Sequence, residues 1–163
     1  MLTTENKIEF VTPIISTEKE LKTLLDNFKP KSTFILADEN TVKLISVIAD
    51  MSPMIKDAEI IEIKSGEKNK NLKVCHNIWQ HLSNNNVSKN ALIINLGGGV
   101  ITDLGGFVAS TFKRGINFLN IPTTLLAMTD AAIGGKTGVD LDNFKNQIGI
   151  ISSPIGIYYN HKF

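Results

Sequence analysis

The chain has one cysteine, Cys75, one tryptophan, two tyrosines and five prolines in 163 residues. A single cysteine excludes an internal disulfide and a cysteine-rich metal site, and it fits a reducing compartment. Neither sign of charge dominates, because 17 Lys and Arg oppose 16 Asp and Glu for a formal net charge of +1. That balance gives no electrostatic footprint for nucleic acid or a membrane surface, so an anionic ligand has to be met by local groups. No apolar run reaches the roughly 18 residues of a membrane span, and MLTTENKIEF lacks a basic segment followed by an apolar one. The expected location is the cytoplasm. Histidine is also scarce. His76 and His81 stand five apart on one predicted helix, about 140° from each other around its axis, and His161 is near the end of the chain, so no metal ligands are assigned.

What is present is an ordinary globular composition, 42% hydrophobic and 20% charged. The length predicts one domain, residues 1–163, of a size that buries roughly 68–70% of its unfolded surface. Strand-like and helix-like segments alternate along it. Ile8–Ile15 reads as a strand that Pro13 marks as an edge or terminal element. Thr17 and Glu20 form a capping-box pair that opens a helix through Phe28. Strands follow at Thr33–Ala37, Ala58–Ile63, Ala91–Leu96, Ile116–Ile121 and Ile155–Tyr159. Helices are expected at Asn40–Met51, at Val100–Phe112, at Thr123–Ala132 and along the face marked by Leu72, Cys75, Trp79 and Leu82, which ends in a turn at Asn84–Asn86. Gly134–Asn146 reads as a loop. Continuous apolar strands alternating with amphipathic helices predict an α/β fold, a Rossmann-like, mainly parallel sheet with helices on both faces.

Ligands of such sheets gather beyond the carboxyl ends of the strands. Asp38, the turn Ser65–Lys70, the triple glycine Gly97–Gly99 and the pair Thr123-Thr124 all follow predicted strands, so all four are expected to line one crevice. The glycines allow backbone N–H groups to approach a ligand closely. Two standard phosphate motifs fail. Gly97-Gly98-Gly99-Val100-Ile101-Thr102 has threonine where the dinucleotide fingerprint needs its third glycine, and Gly135-Lys136-Thr137 lacks both the first P-loop glycine, since Asp130 holds that place, and a preceding strand.

One combination of motifs does match. Gly97 to Phe107 (GGGVITDLGGF), Arg114-Gly115, Pro122 to Ala127 (PTTLLA), Asp130, Gly134 to Thr137 (GGKT) and Lys145 to Gly149 (KNQIG), with Gly66-Glu67 and Lys70 before them, are similar in order and spacing to the amino-terminal domain of the 3-dehydroquinate synthase family. The resemblance covers essentially the whole chain. It implies an α/β domain that holds NAD, paired in the family with a helical carboxy-terminal domain that brings the ligands of a divalent metal, zinc or cobalt. The implied reaction converts 3-deoxy-D-arabino-heptulosonate 7-phosphate to 3-dehydroquinate and phosphate, in the shikimate pathway. It proceeds by oxidation of a ring alcohol, loss of phosphate, re-reduction, ring opening and aldol closure.

Carried over by position, the resemblance assigns Asp38 and Glu67, beside Gly66, to adenosine and ribose hydroxyls. Gly98, Gly99 and Val100 would meet the pyrophosphate, with Lys70 as a point charge. Asp103, Thr123, Thr124, Lys136 and Lys145 are further NAD contacts. Asp130, Lys136 and Asn146 are substrate contacts, and Arg114 is a phosphate contact made across a homodimer interface. Simpler roles compete with several of these. Asp38 equally suits a cap of the helix expected near Asn40, Asp103 and Arg114 suit a surface pair, and Gly105 and Gly106 read as helix-packing glycines.

Two positions depart from the family pattern: Thr102 and Phe144 stand where the family commonly has glycine. The chain also ends at His161-Lys162-Phe163, where the family continues into its helical domain, so the domain by itself is expected to be inactive. Two other readings remain open: a related sugar-phosphate cyclase or iron-dependent alcohol dehydrogenase-like domain, and a non-catalytic nucleotide-binding module.

Overall fold

A computed structural model of the chain describes residues 12–163. Its order is β1 (Ile14–Ile15), α1 (Glu18–Phe28), β2 (Ser32–Asp38), α2 (Ile45–Ile48), α3 (Pro53–Lys56), β3 (Glu59–Ile63), α4 (Leu72–Asn84), β4 (Ala91–Gly97), α5 (Gly99–Thr111), β5 (Asn117–Pro122), β6 (Lys136–Leu141), β7 (Phe144–Ile151) and β8 (Ile157–Tyr158). Six strands form one sheet in the order β1-β8-β5-β4-β2-β3, every adjacent pair parallel. The expected fold class is therefore observed. Of the expected first strand, Ile14 and Ile15 pair with β8 at the sheet edge, as Pro13 implied, and the part before Thr12 lies outside the described residues.

Strand residues alternate between two apolar layers. Phe34, Leu36, Ile93 and Phe118 pack against α4 and α5 through Cys75, Ile78, Leu104 and Val108. Ile35, Leu92, Ile94 and Leu119 face the other way onto α1, α2 and α3 through Leu21, Leu25, Ile48 and Ile55. Because both faces are covered, β4 is buried at every residue and its sequence shows no polar alternation. The capping box forms as expected: Thr17 Oγ1 accepts from Glu20 N–H at 3.2 Å, and Glu20 accepts from Ser16 and Thr17 N–H at 3.0 and 3.1 Å. Those N–H donors, Ser16's first, hold the Glu20 carboxyl below the usual glutamate range.

Four local expectations need correction. Gly134–Asn146 is no loop, since β6 and β7 pair antiparallel as a separate hairpin packed on α5. Gly138 lies opposite Gly149, and a Cβ on Gly138 would stand 2.7 Å from the Ile148 carbonyl oxygen, so the glycines serve close strand approach and not a turn. The span Asn40–Met51 is broken, with a turn at Glu39–Thr41 and only Ile45–Ile48 α-helical between two short 3₁₀ turns. On α4, Ile78 joins Cys75 and Leu82 in the core while Leu72 is exposed, and Trp79 is half-buried with its Nε1–H donating to the Val108 carbonyl at 3.2 Å. The segment after Thr124 is helical as expected, but Ala127–Ala131 forms a wide π turn.

Candidate functional site

The chain leaves β2 for β3 on one side and returns to place β4 on the other, so the order reverses between β2 and β4. Such a switch point opens a crevice at the carboxyl ends of the strands. Asp38 pairs with Ile63, and Gly97 with Pro122, at that same end of the sheet. The loops carrying Asp38, Gly66-Glu67, Gly98-Gly99 and Thr123-Thr124 thus emerge along one rim, as expected from the strand pattern.

Gly98 is the N-cap of α5, and no side chain caps that helix. The first amides of α5 face the rim with the partial positive charge of the helix end, a setting worth about 0.3–1 kcal/mol per interacting anion and up to about 2 when partly buried. Thr123 N–H donates to the Gly97 carbonyl at 3.0 Å and ties the turn after β5 to the glycine turn. Thr124 Oγ1 accepts from Ala127 N–H at 3.2 Å, and its methyl lies 3.2 Å from where a Cβ on Gly98 would fall. Val100 sits in the first turn of α5.

Asp38 caps no helix, because a turn and not a helix follows it; its Oδ1 holds that turn by accepting from Asn40 N–H at 2.9 Å, Thr41 N–H at 3.0 Å and the Thr41 hydroxyl at 3.2 Å. The next residue supplies a contact that the sequence did not suggest. Glu39 takes Ser65 N–H at 2.9 Å and the Ser65 hydroxyl at 3.0 Å, linking the loops after β2 and β3, and these donors lower its carboxyl below the usual range. Gly66, at φ +94°, then turns the chain into the short 3₁₀ turn Glu67–Asn69. Exposed Glu67 has Lys145 Nζ 3.6 Å from its Oε1.

A cavity of about 550 Å³ extends from α5 to the hairpin and is lined by Asp103, Asp130, Lys136 and Asn146 among others. Four residues assigned from scattered motifs therefore share one space. Lys70 is buried beside it, its Nζ donating to Asp103 Oδ2 at 2.5 Å and to Asn146 Oδ1 at 2.6 Å. Burial pushes the Asp103 carboxyl above the usual aspartate range, and the hydrogen bond and charge of Lys70 oppose that rise. Asp103 thus pairs with Lys70 and not with Arg114. Asp140, also unforeseen, fixes the hairpin turn by accepting Asn146 N–H at 2.8 Å while its own N–H donates to the Lys70 carbonyl at 2.9 Å.

Arg114 lies elsewhere. It follows the far end of α5, about 20 Å along the helix from Gly99, exposed and in the left-handed region at φ +66° between Lys113 and Gly115. It does not enter the crevice of its own chain. Gly105 and Gly106 have the packing role expected of them. A Cβ on Gly105 would overlap the Asn95 side chain, and one on Gly106 would overlap Thr137 of β6. Thr102 is accommodated within α5, its hydroxyl donating to the Gly99 carbonyl at 3.2 Å. Among the described residues, no group of three or more His, Cys, Asp or Glu could hold a metal ion, and no helix is long and apolar enough to cross a membrane.

Sheet order, glycine turn and rim define an α/β domain of the Rossmann-like class. The sequence profile of the 3-dehydroquinate synthase N-terminal family matches residues 60–163, and the chain belongs to that family. It is 42% identical over 146 residues to 3-dehydroquinate synthase of Parabacteroides distasonis, a match covering 90% of this chain and 41% of the relative. The chain therefore spans about two fifths of the length of that relative. Among solved structures, 2-deoxy-scyllo-inosose synthase complexed with carbaglucose-6-phosphate, NAD+ and Co2+ superposes with a TM-score of 0.83 at 20% identity, covering 91% of this chain and 42% of that one. The 2-epi-5-epi-valiolone synthase of Streptomyces hygroscopicus with NAD+ and Zn2+ bound gives 0.74 at 24% identity, covering 98% and 45%. At these identities the two structures bear on the fold alone.

Proposed function

We propose that this chain is the NAD-holding part of a 3-dehydroquinate synthase, acting on 3-deoxy-D-arabino-heptulosonate 7-phosphate. The observation that carries the proposal is the uncapped amino end of α5 at the switch point of the sheet, flanked by Thr123-Thr124 and by the carboxylates of Asp38 and Glu67. The donor set fits a dinucleotide. Amides of Gly98, Gly99 and Val100 bind the pyrophosphate. Asp38 offers Oδ2, since the turn uses only Oδ1, and Glu67 and Lys145 border the ribose. Asp103 has one oxygen committed to Lys70 and the other available to accept a carboxamide N–H.

When bound, NAD supplies reversible hydride transfer at a ring alcohol. The chain's own residues orient the substrate for it. Because Asn146 gives its oxygen to Lys70, its amide N–H groups are left to donate to a substrate hydroxyl or carboxylate. Lys136, exposed at the cavity, provides a cation, and Asp130 accepts from hydroxyls. The Asp103–Lys70 pair is near neutral in sum, which keeps net charge beside the nicotinamide small. Among the described residues no group of three His, Cys, Asp or Glu fits a metal, and in this reading its ligands come from the rest of the enzyme. Arg114, facing away from its own crevice, serves the site of a second copy in a homodimer.

Calorimetric titration of NAD into the chain tests this reading. Binding in the micromolar to submillimolar range is expected, weakened at least tenfold by Gly98→Val with no turnover of the heptulosonate phosphate in either protein. Absence of heat at millimolar NAD would overturn it.

A further inference from the structure

Two deeply buried amide side chains lie outside the lining of the cavity. Asn95 and Asn120 stand opposite each other on β4 and β5, each between apolar neighbours, 0% and 3% exposed. Asn95 Nδ2 donates to Asn120 Oδ1 at 2.9 Å, and Asn120 Nδ2 donates onward to the Ala132 carbonyl at 3.3 Å. Ala132 closes the π turn that carries Asp130, and Ala132 N–H donates to the Ala127 carbonyl across that turn. From the other side, the Tyr159 hydroxyl donates to the Met128 carbonyl at 2.7 Å.

Apolar residues would pack these positions at lower cost, because a buried amide is tolerated only when its hydrogen bonds are made. Here one is left over: Asn95 Oδ1 has no partner among the described residues and lies against Gly105, where any side chain would collide with it. The pair therefore does something that Leu or Val could not. A π turn is wide and its carbonyls are incompletely used by its own amides, and such turns occur often at functional sites. Asn120 of β5 reaches the carbonyl of Ala132, just past the turn, and Tyr159, just after β8, reaches that of Met128 within it, so the two bonds bracket Asp130 along the chain. The same turn sets Ala131 within 3.6 Å of the Cβ position of Gly99.

We propose that Asn120 and Tyr159, with Asn95 as a backing brace, are positioning residues that fix the π turn between the glycine turn and Lys136, and so hold Ala131 against the glycine turn that takes NAD and Asp130 at the cavity. The proposal takes the crevice as the NAD site. Its first test does not. Amide hydrogen exchange is measured on the chain, on Asn120→Ala and on Tyr159→Phe, the last removing a single hydroxyl and guarding against a variant that fails to fold. Exchange at residues 128–134 is expected to rise at least tenfold in Asn120→Ala and about threefold in Tyr159→Phe, with β4 amides protected as before. Unchanged exchange at 128–134 in a folded variant, or an equal rise throughout β4 and β5, would overturn the brace.

NAD titration of the same samples then separates positioning from support. A three- to tenfold weaker Kd with the melting temperature of Tyr159→Phe nearly unchanged is expected, and an unaltered Kd despite faster local exchange would refute the positioning role. A parent chain that binds no NAD at all would refute the proposed function, while the exchange data would still decide the brace.

Discussion

β4 is buried at each of its residues, Ala91–Gly97, whereas β7 exposes every residue of Phe144–Ile151 but Ile148. Both lie beside the crevice, yet they contribute differently. The parallel sheet fixes backbone positions through apolar contact on two faces and presents only its strand ends to a ligand. The hairpin has almost no core of its own. It is held by Thr137 on Gly106, by Val139 and Ile148 in the α5 layer, and by the polar links of Lys70 to Asn146 and Asp140. Stability and ligand chemistry are thus assigned to different parts of the domain, and substitutions should separate them.

The largest effect is expected in the sheet. Ile94→Ala removes a fully buried side chain and should cost about 2–5 kcal/mol, read as a lower denaturant midpoint, with NAD affinity intact in the molecules that remain folded. A variant that lost affinity while keeping its stability would break the division. Next comes the link between the parts. Lys70→Met leaves Asp103 and Asn146 without their donor, costing about 1–3 kcal/mol, and should raise exchange in β6 and β7 well above that in β4. Uniform exchange would mean that the hairpin and sheet unfold as one unit.

Thiol chemistry offers a sharper contrast. Burial pushes the Cys75 thiol up to about 12, so at pH 7–8 it is a neutral, enclosed thiol. A maleimide should leave Cys75 unlabelled until the chain unfolds, while Phe144→Cys on the exposed hairpin reacts at once; prompt reaction of both would contradict the burial of α4. The smallest effect belongs at the edge. Thr17→Ala should cost about 0.5–2 kcal/mol and leave NAD binding alone. Since Glu20 titrates below its unfolded value, its contribution is complete above the usual glutamate range and is lost as pH falls through the lowered value. Glu20→Gln should flatten that part of the stability profile, and an unchanged slope would remove Glu20 as its source.

How legible each part was follows from the same contrast. The apolar runs Thr33–Ala37 and Ala91–Leu96 announce buried parallel strands, and Thr17 with Glu20 announces α1, because local pattern and tertiary role agree there. The hairpin was hidden because Gly138 and Gly149, needed where two strands approach closely, look like turn glycines, and Asp142 takes the left-handed turn conformation at φ +52°. The family resemblance marks Lys70, Asp103, Asp130, Lys136 and Asn146 as site residues, but it does not reveal that Lys70 spends its charge on Asp103. The Asn95–Asn120 pair does leave a trace, an amide between apolar neighbours in each of two strands, whose meaning depends on strand register that only the structure supplies.

The measurement that bears most directly on the account is the amide spectrum of the isotopically labelled chain as NAD is added. Shifts confined to Gly98–Asp103, Thr123-Thr124, Lys145 and the loops after Asp38 and Ile63 are expected, with β1 and Arg114 undisturbed. Saturable shifts centred elsewhere, or none at millimolar NAD, would contradict a dinucleotide held at the uncapped end of α5.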